Sequence, residues 1–188
     1  MNKRVSIALL CAASFLVACA GQSGPSGPQQ AESSRFRLSG QAISVLEFSL
    51  ARAMVTYNAP YDTFGLAIAE EIAAELRKRG HQAEAVPAGG EVKGSILVMG
   101  DVERIDAGSR STRYFVGFGA GSAKFGVDGS VKEAQGGEVA TFSDERWSGF
   151  GVFGGSSTSL VRKCLRAVGQ DVAKMIDTGQ YRTVAEGE

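Results

Sequence analysis

Two stretches of apolar residues at helical spacing limit the folds that this chain can adopt. In the first stretch, every fourth position from Phe64 to Leu76 is apolar. In the second, an apolar stripe runs from Leu160 to Ile176 and includes Cys164. This spacing places the apolar side chains on one face of an α-helix, and that face needs a second apolar layer to cover it. The sequence therefore predicts two amphipathic helices, one over residues 63–79 and one that begins within residues 156–159.

The ends of the first helix are also marked in the sequence. Asp62 is a good N-cap residue, and Gly80 is a suitable C-terminal stop. Basic residues fill the last turn, where the helix dipole favours cations. The acidic residues on this helix (Glu70, Glu71 and Glu75) are interpreted as a solvated face rather than a metal site, with Glu75 placed to meet Arg79.

Five segments have the composition or the alternation of β-strands. They cover residues 43–50, 82–86, 95–105, 123–132 and 139–147, and a turn at residues 135–137 joins the last two. The predicted order is β-α-β-β-β-β-α. The first βαβ unit implies a parallel pair of strands, and the later strands read as an antiparallel meander. We therefore predict an α/β (α+β) fold, a two-layer sandwich in which a mixed sheet carries both helices on one face.

Composition excludes several classes of function. The chain has 188 residues, with 20 Lys and Arg against 20 Asp and Glu, so no basic face predicts nucleic-acid binding. His81 is the only histidine, and Cys164 is the only cysteine beyond residue 19, so we predict no zinc site and no cofactor. A Cys164–His81 nucleophile pair is formally possible, but the helical spacing favours a core position for Cys164.

The N-terminal residues have the three parts of an export signal. Lys3 and Arg4 are basic, residues 5–15 are almost entirely apolar, and the segment ends in Leu16-Val17-Ala18-Cys19. This ending resembles the bacterial lipoprotein box. The resemblance implies cleavage between Ala18 and Cys19 and acylation of Cys19, and the alternative is a secreted protein with a chance cysteine there. Ala20 stands where an aspartate tends to retain lipoproteins at the inner membrane, which favours the periplasmic face of the outer membrane.

The chain divides into four predicted regions. Residues 1–18 are a signal peptide, and residues 19–39 are the acylated cysteine followed by a flexible tether rich in Gly, Pro, Ser and Gln. Residues 40–178 form a single globular domain, and residues 179–188 form a polar tail.

Two glycine-rich segments with several aromatic residues connect the later elements. They cover residues 110–122 and 148–155. The first segment has neither the spacing of a P-loop nor that of a dinucleotide-binding loop, because Ser122 stands where the third glycine of the latter should be. The parity of the meander predicts that both lie at one end of the sheet. The first strand would also start at that end if the second and third strands were antiparallel. The aromatic residues are our candidate interaction patch, with Tyr114, Phe115, Phe118, Phe150 and Phe153 as its members.

Several of these segments resemble bacterial proteins of domain-of-unknown-function family 4410. The resemblance lies in Tyr114 to Lys124, the strand from Phe125 to Val131, Phe142-Ser143-Asp144 and the glycine-rich run before the last helix. It implies one intact domain over about residues 40–178 and fits a lipoprotein, but it implies no reaction.

The sequence has no G-x-S-x-G motif and no other catalytic signature. We therefore predict a lipid-anchored, non-catalytic domain that binds a partner in the cell envelope. An alternative is a periplasmic hydrolase or carbohydrate-acting enzyme that uses carboxylates expected on neighbouring strands, namely Asp101, Glu103, Asp144 and Glu145. Ion pairs with Arg104 and Arg146 explain these carboxylates more simply. A third possibility is self-association through an edge strand.

Overall fold

The computed structural model describes residues 38, 40–56, 61–108, 122–148 and 157–181. Within these residues the elements, in chain order, are β1 (Ile43–Leu46), β2 (Met54–Thr56), α1 (Phe64–Lys78), β3 (Ala83–Val86), β4 (Ile96–Asp106), β5 (Ala123–Glu133), β6 (Glu138–Ser148) and α2 (Ser157–Thr178). The strands form one mixed sheet on which both helices pack, so the predicted α/β (α+β) two-layer fold is confirmed.

The sheet has the strand order β3-β1-β4-β5-β6, and β2 pairs with the last residues of β4. β1 is parallel to both β3 and β4, whereas β4, β5 and β6 form an antiparallel meander. Both parts of the predicted topology are therefore confirmed. The sequence pattern does not anticipate β2, because three residues are too few to show alternation. Between β1 and β2, Ser49 forms a parallel bridge with Asp101 of β4, so residues 43–56 run along β4 in short paired pieces.

Helix α1 begins at Phe64, one residue later than predicted. Thr63, not Asp62, occupies the N-cap position, and its side chain makes no capping hydrogen bond. The C-terminal prediction is confirmed, since Gly80 has a φ of +90°. The Gly80 amide donates to the Arg77 carbonyl and the His81 amide donates to the Leu76 carbonyl, which is a Schellman arrangement.

The core lies between the sheet and the helices. Helix α1 packs on β1 and β3, helix α2 packs on β5 and β6, and the two helices also contact each other. The predicted stripe of α1 is buried from Phe64 to Leu76. The stripe of α2 is buried from Val161 to Ile176, whereas Leu160 is only half-buried. Both helices thus cover the same face of the sheet. The other face of β4, β5 and β6, which no described helix covers, is the open face.

A pair of glycines makes room for two aromatic rings at the centre of the core. Gly100 of β4 and Gly129 of β5 lie directly opposite each other, and Phe142 of β6 lies opposite Gly129. A Cβ atom on Gly129 would lie 2.4 Å from Phe142 Cζ, and one on Gly100 would lie 2.7 Å from Phe48 Cε1. The Phe48 and Phe142 ring centroids are 6.4 Å apart. The absence of a side chain at both positions is therefore a packing requirement.

The acidic residues of α1 do not behave as one solvated face. Glu70 is exposed, but Glu75 is only 8% exposed. Lys78 Nζ donates to Glu75 Oε1 at 2.6 Å, so the predicted Glu75–Arg79 pair is wrong. Arg79 instead reaches Asp177 of α2, because the two helices end side by side.

Candidate functional site

The strands that flank the two glycine-aromatic segments end at one end of the sheet. β4 finishes at Asp106, opposite Lys124 at the start of β5, and Ala123 pairs with Ser148 at the end of β6. Both segments therefore connect to the sheet at the end predicted from the parity of the meander. Their aromatic residues (Tyr114, Phe115, Phe118, Phe150 and Phe153) lie outside the described residues, as do Ala18 and Cys19.

The first strand does not start at this end of the sheet. β1 separates β3 from β4 and is parallel to both, so the second and third predicted strands are parallel rather than antiparallel. β1 therefore begins near the start of β4, at the opposite end from the strand ends described above. Residues 40–42, which directly precede β1, therefore lie at that opposite end.

The open face of the sheet carries a network of ion pairs near the glycine-aromatic end. Arg104 of β4 and Lys124 of β5 both approach Glu145 of β6, at 3.3 and 3.9 Å. Thr56 donates a hydrogen bond of 2.6 Å to Asp106, which fixes β2 to β4. Beside this network, Trp147 is 64% exposed. As far as the structure describes it, this face is polar, is ordered by cross-strand contacts, and bears the exposed aromatic side chain of Trp147.

A β-bulge in β4 places three carboxyl groups together on the open face. The register shifts between Val102 and Arg104, so Glu103 lies at the bulge. Asp101 lies directly opposite Asp128, where two like charges are unfavourable. The pKa of Glu103 is raised, chiefly because its carboxyl shares a hydrogen bond with Asp128 and also because burial disfavours its charge. A protonated Glu103 can donate to Asp128 and so relieve the repulsion.

The four carboxylates of the alternative hydrolase hypothesis do not form one site. Strand β5 lies between β4 and β6, so they are not on neighbouring strands as expected. Asp144 is 5% exposed and approaches Arg146, whereas Glu145 binds Arg104 on the open face. The predicted ion pairs with Arg104 and Arg146 are therefore confirmed for Glu145 and Asp144, but not for Asp101 and Glu103. Within the described residues, no cluster of three His, Cys, Asp or Glu side chains is arranged to hold a metal ion.

A groove of about 150 Å³ separates β6 from the C-terminal half of α2. Arg146 crosses it, with Nε 2.6 Å from Asp171 Oδ2 on the helix and 3.5 Å from Asp144 Oδ2 on its own strand. Lys174 and Met175 also line the groove. Because Arg146 is already held by two carboxylates, the groove acts as a polar seam that fixes α2 to the edge of the sheet.

Cys164 and His81 serve separate parts of the structure. Cys164 is 2% exposed, and its thiol donates to the Ala123 carbonyl at 3.5 Å. Burial raises the pKa of this thiol, which makes it a poor nucleophile. His81 Nε2 is 2.8 Å from Asp177 Oδ1. Asp177 lies thirteen residues, or about 20 Å, beyond Cys164 along α2. The two side chains therefore form no catalytic pair.

The contact of Asp177 with His81 and Arg79 predicts a pH dependence of stability. The hydrogen bond from His81, and then that from Arg79, holds the pKa of Asp177 below its ordinary value. A folded-state pKa below the unfolded value adds stability that is present above the unfolded pKa and is lost as the pH falls through the folded one. We expect Asp177→Asn to destabilise the domain at pH 7 and to have little effect at pH 2.5. Urea unfolding at both pH values measures this.

The control for this experiment is Asp62→Asn, since Asp62 is exposed before α1. This variant should match the unmodified protein at both pH values. An Asp177→Asn effect that is equally large at pH 2.5 would contradict the assigned role of the carboxylate.

Two features of the site are absent from the sequence predictions. The Glu103 bulge leaves no distinctive sequence signal, because it arises from the pairing of β4 with β5. The exposure of Trp147 does leave a sequence signal. Alternation along β6 places Trp147 on the same face as Glu145, and Phe142 and Asp144 on the other face.

None of the described helices is both long enough and apolar enough to span a membrane. Comparison with curated proteins gives no significant match.

The fold is similar to that of solved structures. One is PelC from Paraburkholderia phytofirmans, solved as a dodecamer, with 17% identity and a TM-score of 0.50. A point variant of that dodecamer has 18% identity and a TM-score of 0.49. Both alignments cover 79% of this chain and 94% of PelC. A protein from Caulobacter crescentus CB15 described as a candidate lipoprotein has 13% identity and a TM-score of 0.39, over 70% of this chain and 84% of that one.

A family model supplies the classification. Residues 56–152, more than half of the chain, match a domain of unknown function, DUF4410. The match runs from the end of β2 through α1 and β3 to the last residues of β6 and beyond, so it includes the open face and its ion pairs. The resemblance predicted from the sequence is confirmed, and the chain belongs to the DUF4410 family.

Proposed function

We propose that this chain is a lipid-anchored protein of the cell envelope whose folded domain is non-catalytic and binds another protein. The observation that carries the anchor is Cys19, which directly follows Ala18 at the end of a short apolar segment with a basic start. An apolar segment of this length is too short for a relaxed membrane span but suits an export signal. Ala20, in place of an aspartate, supports the periplasmic face of the outer membrane.

The physical strength of such an anchor is large. Each buried methylene contributes about 0.8 kcal/mol, and a single acyl chain gives only reversible membrane binding. Two or three chains on one cysteine give stable anchoring. The residues from 20 to 34 contain no large apolar side chain, so they suit a flexible tether with a root-mean-square span of about 20 Å.

The described chemistry supports a binding role over a catalytic one. The carboxylates Asp144 and Glu145 are held in ion pairs on opposite faces of the sheet, and the Cys164 thiol is buried. The open face, in contrast, is an ordered polar surface with Trp147 exposed at one side. Exposed aromatic side chains next to polar groups are common in protein interfaces.

The fold likeness to PelC supports copies of this chain as one class of partner. PelC was solved as a dodecamer, and its alignment covers most of both chains. We therefore propose that the domain also associates with itself, through a surface of the sheet.

Replacement of Cys19 tests the anchor. Cells that express Cys19→Ser and receive labelled palmitate should yield an unlabelled protein that no longer pellets with membranes, whereas the unmodified protein should be labelled and should pellet. Cys164→Ser is the matched control, because Cys164 is buried and should not affect labelling. A Cys19→Ser protein that still carries the label would contradict the proposal.

A further inference from the structure

Strand β6 forms a long outer edge of the sheet. It has 11 residues, Glu138–Ser148, which correspond to about 37 Å of extended chain. Within the described ranges it pairs with β5 alone, so its other side presents backbone N–H and C=O groups. Natural proteins rarely leave an edge of this length without protection, because it offers a template for another strand.

The opposite edge of the sheet is protected. β3 has only four residues, and Arg77 of α1 donates a hydrogen bond of 2.8 Å to the Ala83 carbonyl. On its inner side, the Gln82 carbonyl accepts from Ile43 of β1, and the Val86 carbonyl accepts from Glu47, the residue directly after β1. Backbone groups alternate in direction along a strand, so the Ala83 carbonyl belongs to the outer side, and Arg77 occupies it. The two edges therefore differ, and β6 is the one suited to pairing.

The charges along β6 do not oppose a neighbouring strand. Glu145 is held by Arg104 and Lys124 on the open face. Arg146 turns to Asp171 of α2 on the helix side. Other edge strands are protected by lysines or inward-pointing charges, which act because they are unpaired. Glu145 and Arg146 are already paired within the domain, so they do not protect β6 in this way.

We propose that β6 pairs in antiparallel orientation with β6 of a second copy of this chain, about a twofold axis through Ser143. Ser143 is the central residue of the strand, so this register matches all 11 residues. No two like charges lie opposite each other, because the register pairs Asp144 with Phe142, Glu145 with Thr141, Arg146 with Ala140 and Trp147 with Val139.

The twofold arrangement has two consequences for the assembly. Rotation about an axis normal to the sheet keeps the helices of both copies on one side and the two open faces on the other. Since β3 is protected at the far edge, the continuous sheet stops at two copies, and the contact is closed and isologous. The inference rests on the protein-binding role proposed above and goes further by naming the partner and the strand.

Cysteine crosslinking in the full-length chain tests this register. Residues directly opposite in an antiparallel pair have Cα atoms about 4.5–5.5 Å apart, which lies within the range of a disulfide. We expect Ser143→Cys, oxidised in native membranes, to give a covalent dimer as the main band on a non-reducing gel. Thr141→Cys is the matched control on the same face. The two copies of residue 141 would be four register positions apart, about 13 Å, and should give at least tenfold less dimer.

The unmodified protein controls for the native cysteines, since both variants retain buried Cys164. Equal resistance of all three proteins to mild proteolysis shows that the substitutions have not unfolded the domain. Absence of a dimer for folded Ser143→Cys, or a dimer of equal or greater yield for Thr141→Cys, would overturn the proposed pairing. Palmitate labelling tests only the lipid anchor, and the crosslink tests only the pairing of β6. A failure of one proposal is therefore distinguishable from a failure of the other.

Discussion

Replacement of Gly129 by alanine should destabilise the domain by about 1–3 kcal/mol, the typical cost of overpacking a well-filled core. A Cβ atom at Gly129 would lie 2.4 Å from Phe142 Cζ and 2.6 Å from the Met99 carbonyl oxygen. Phe142 cannot easily move aside, because it is 3% exposed and its ring packs against Phe48. Chemical denaturation followed by far-UV circular dichroism gives the free energy of unfolding.

The same strand offers a matched control. A Cβ atom on Gly126 would meet the Glu145 side chain at 3.4 Å, which is an ordinary contact on the open face. Gly126→Ala should therefore change the free energy of unfolding by less than about 0.5 kcal/mol, or raise it slightly because alanine has less backbone entropy to lose. Equal effects of the two substitutions would show that the ring above Gly129 does not constrain the core.

Truncation of Phe125 should have the largest effect on stability. Its side chain is fully buried, and its ring packs edge-on against Phe64 of α1 with centroids 6.2 Å apart. Phe125→Ala removes this contact between sheet and helix and leaves a cavity, at a cost of about 3–5 kcal/mol. The denaturation midpoint should fall while the slope with denaturant stays constant.

Trp147→Ala is the control for the loss of an aromatic side chain. Trp147 is 64% exposed, so its removal should change the free energy of unfolding by about 0.5 kcal/mol or less. A cost comparable to that of Phe125→Ala would mean that Trp147 is covered in the folded protein, contrary to the structure.

Periodicity was sufficient to predict the two layers. The four-residue spacing from Phe64 to Leu76 and the stripe from Val161 to Ile176 both mark faces that the structure buries. The alternation from Ala123 to Lys132 marks β5, since Phe125 and Val127 face the helices. These signals are strong because each one repeats a single physical requirement, burial of one face, over many residues.

Interactions between distant elements could not be predicted in the same way. The spacing of Glu75 and Arg79 predicts an ion pair between them. In the structure Arg79 contacts Asp177 of α2, and Lys78 forms the ion pair with Glu75. The order of strands likewise decides which carboxylates meet. β1 inserts between β3 and β4, and β5 separates β4 from β6, and neither fact is encoded in local spacing.

The position of the candidate site was predicted better than the residues that form it. The parity of the meander places the ends of β4, β5 and β6 correctly, because a hairpin reverses direction whatever its sequence. The Glu103–Asp128 contact depends on a one-residue bulge that only the paired strands reveal. The role of the aromatic patch, whose residues lie outside the described ranges, stays a prediction.

Intact-mass and N-terminal peptide analysis of the protein purified from its native membranes tests the central claim most directly. We expect the mature chain to begin at Cys19 and this residue to carry the mass of a diacylglycerol and an amide-linked acyl group. A mature N-terminus at any other residue, or a Cys19 peptide without acyl mass, would contradict the proposed anchor.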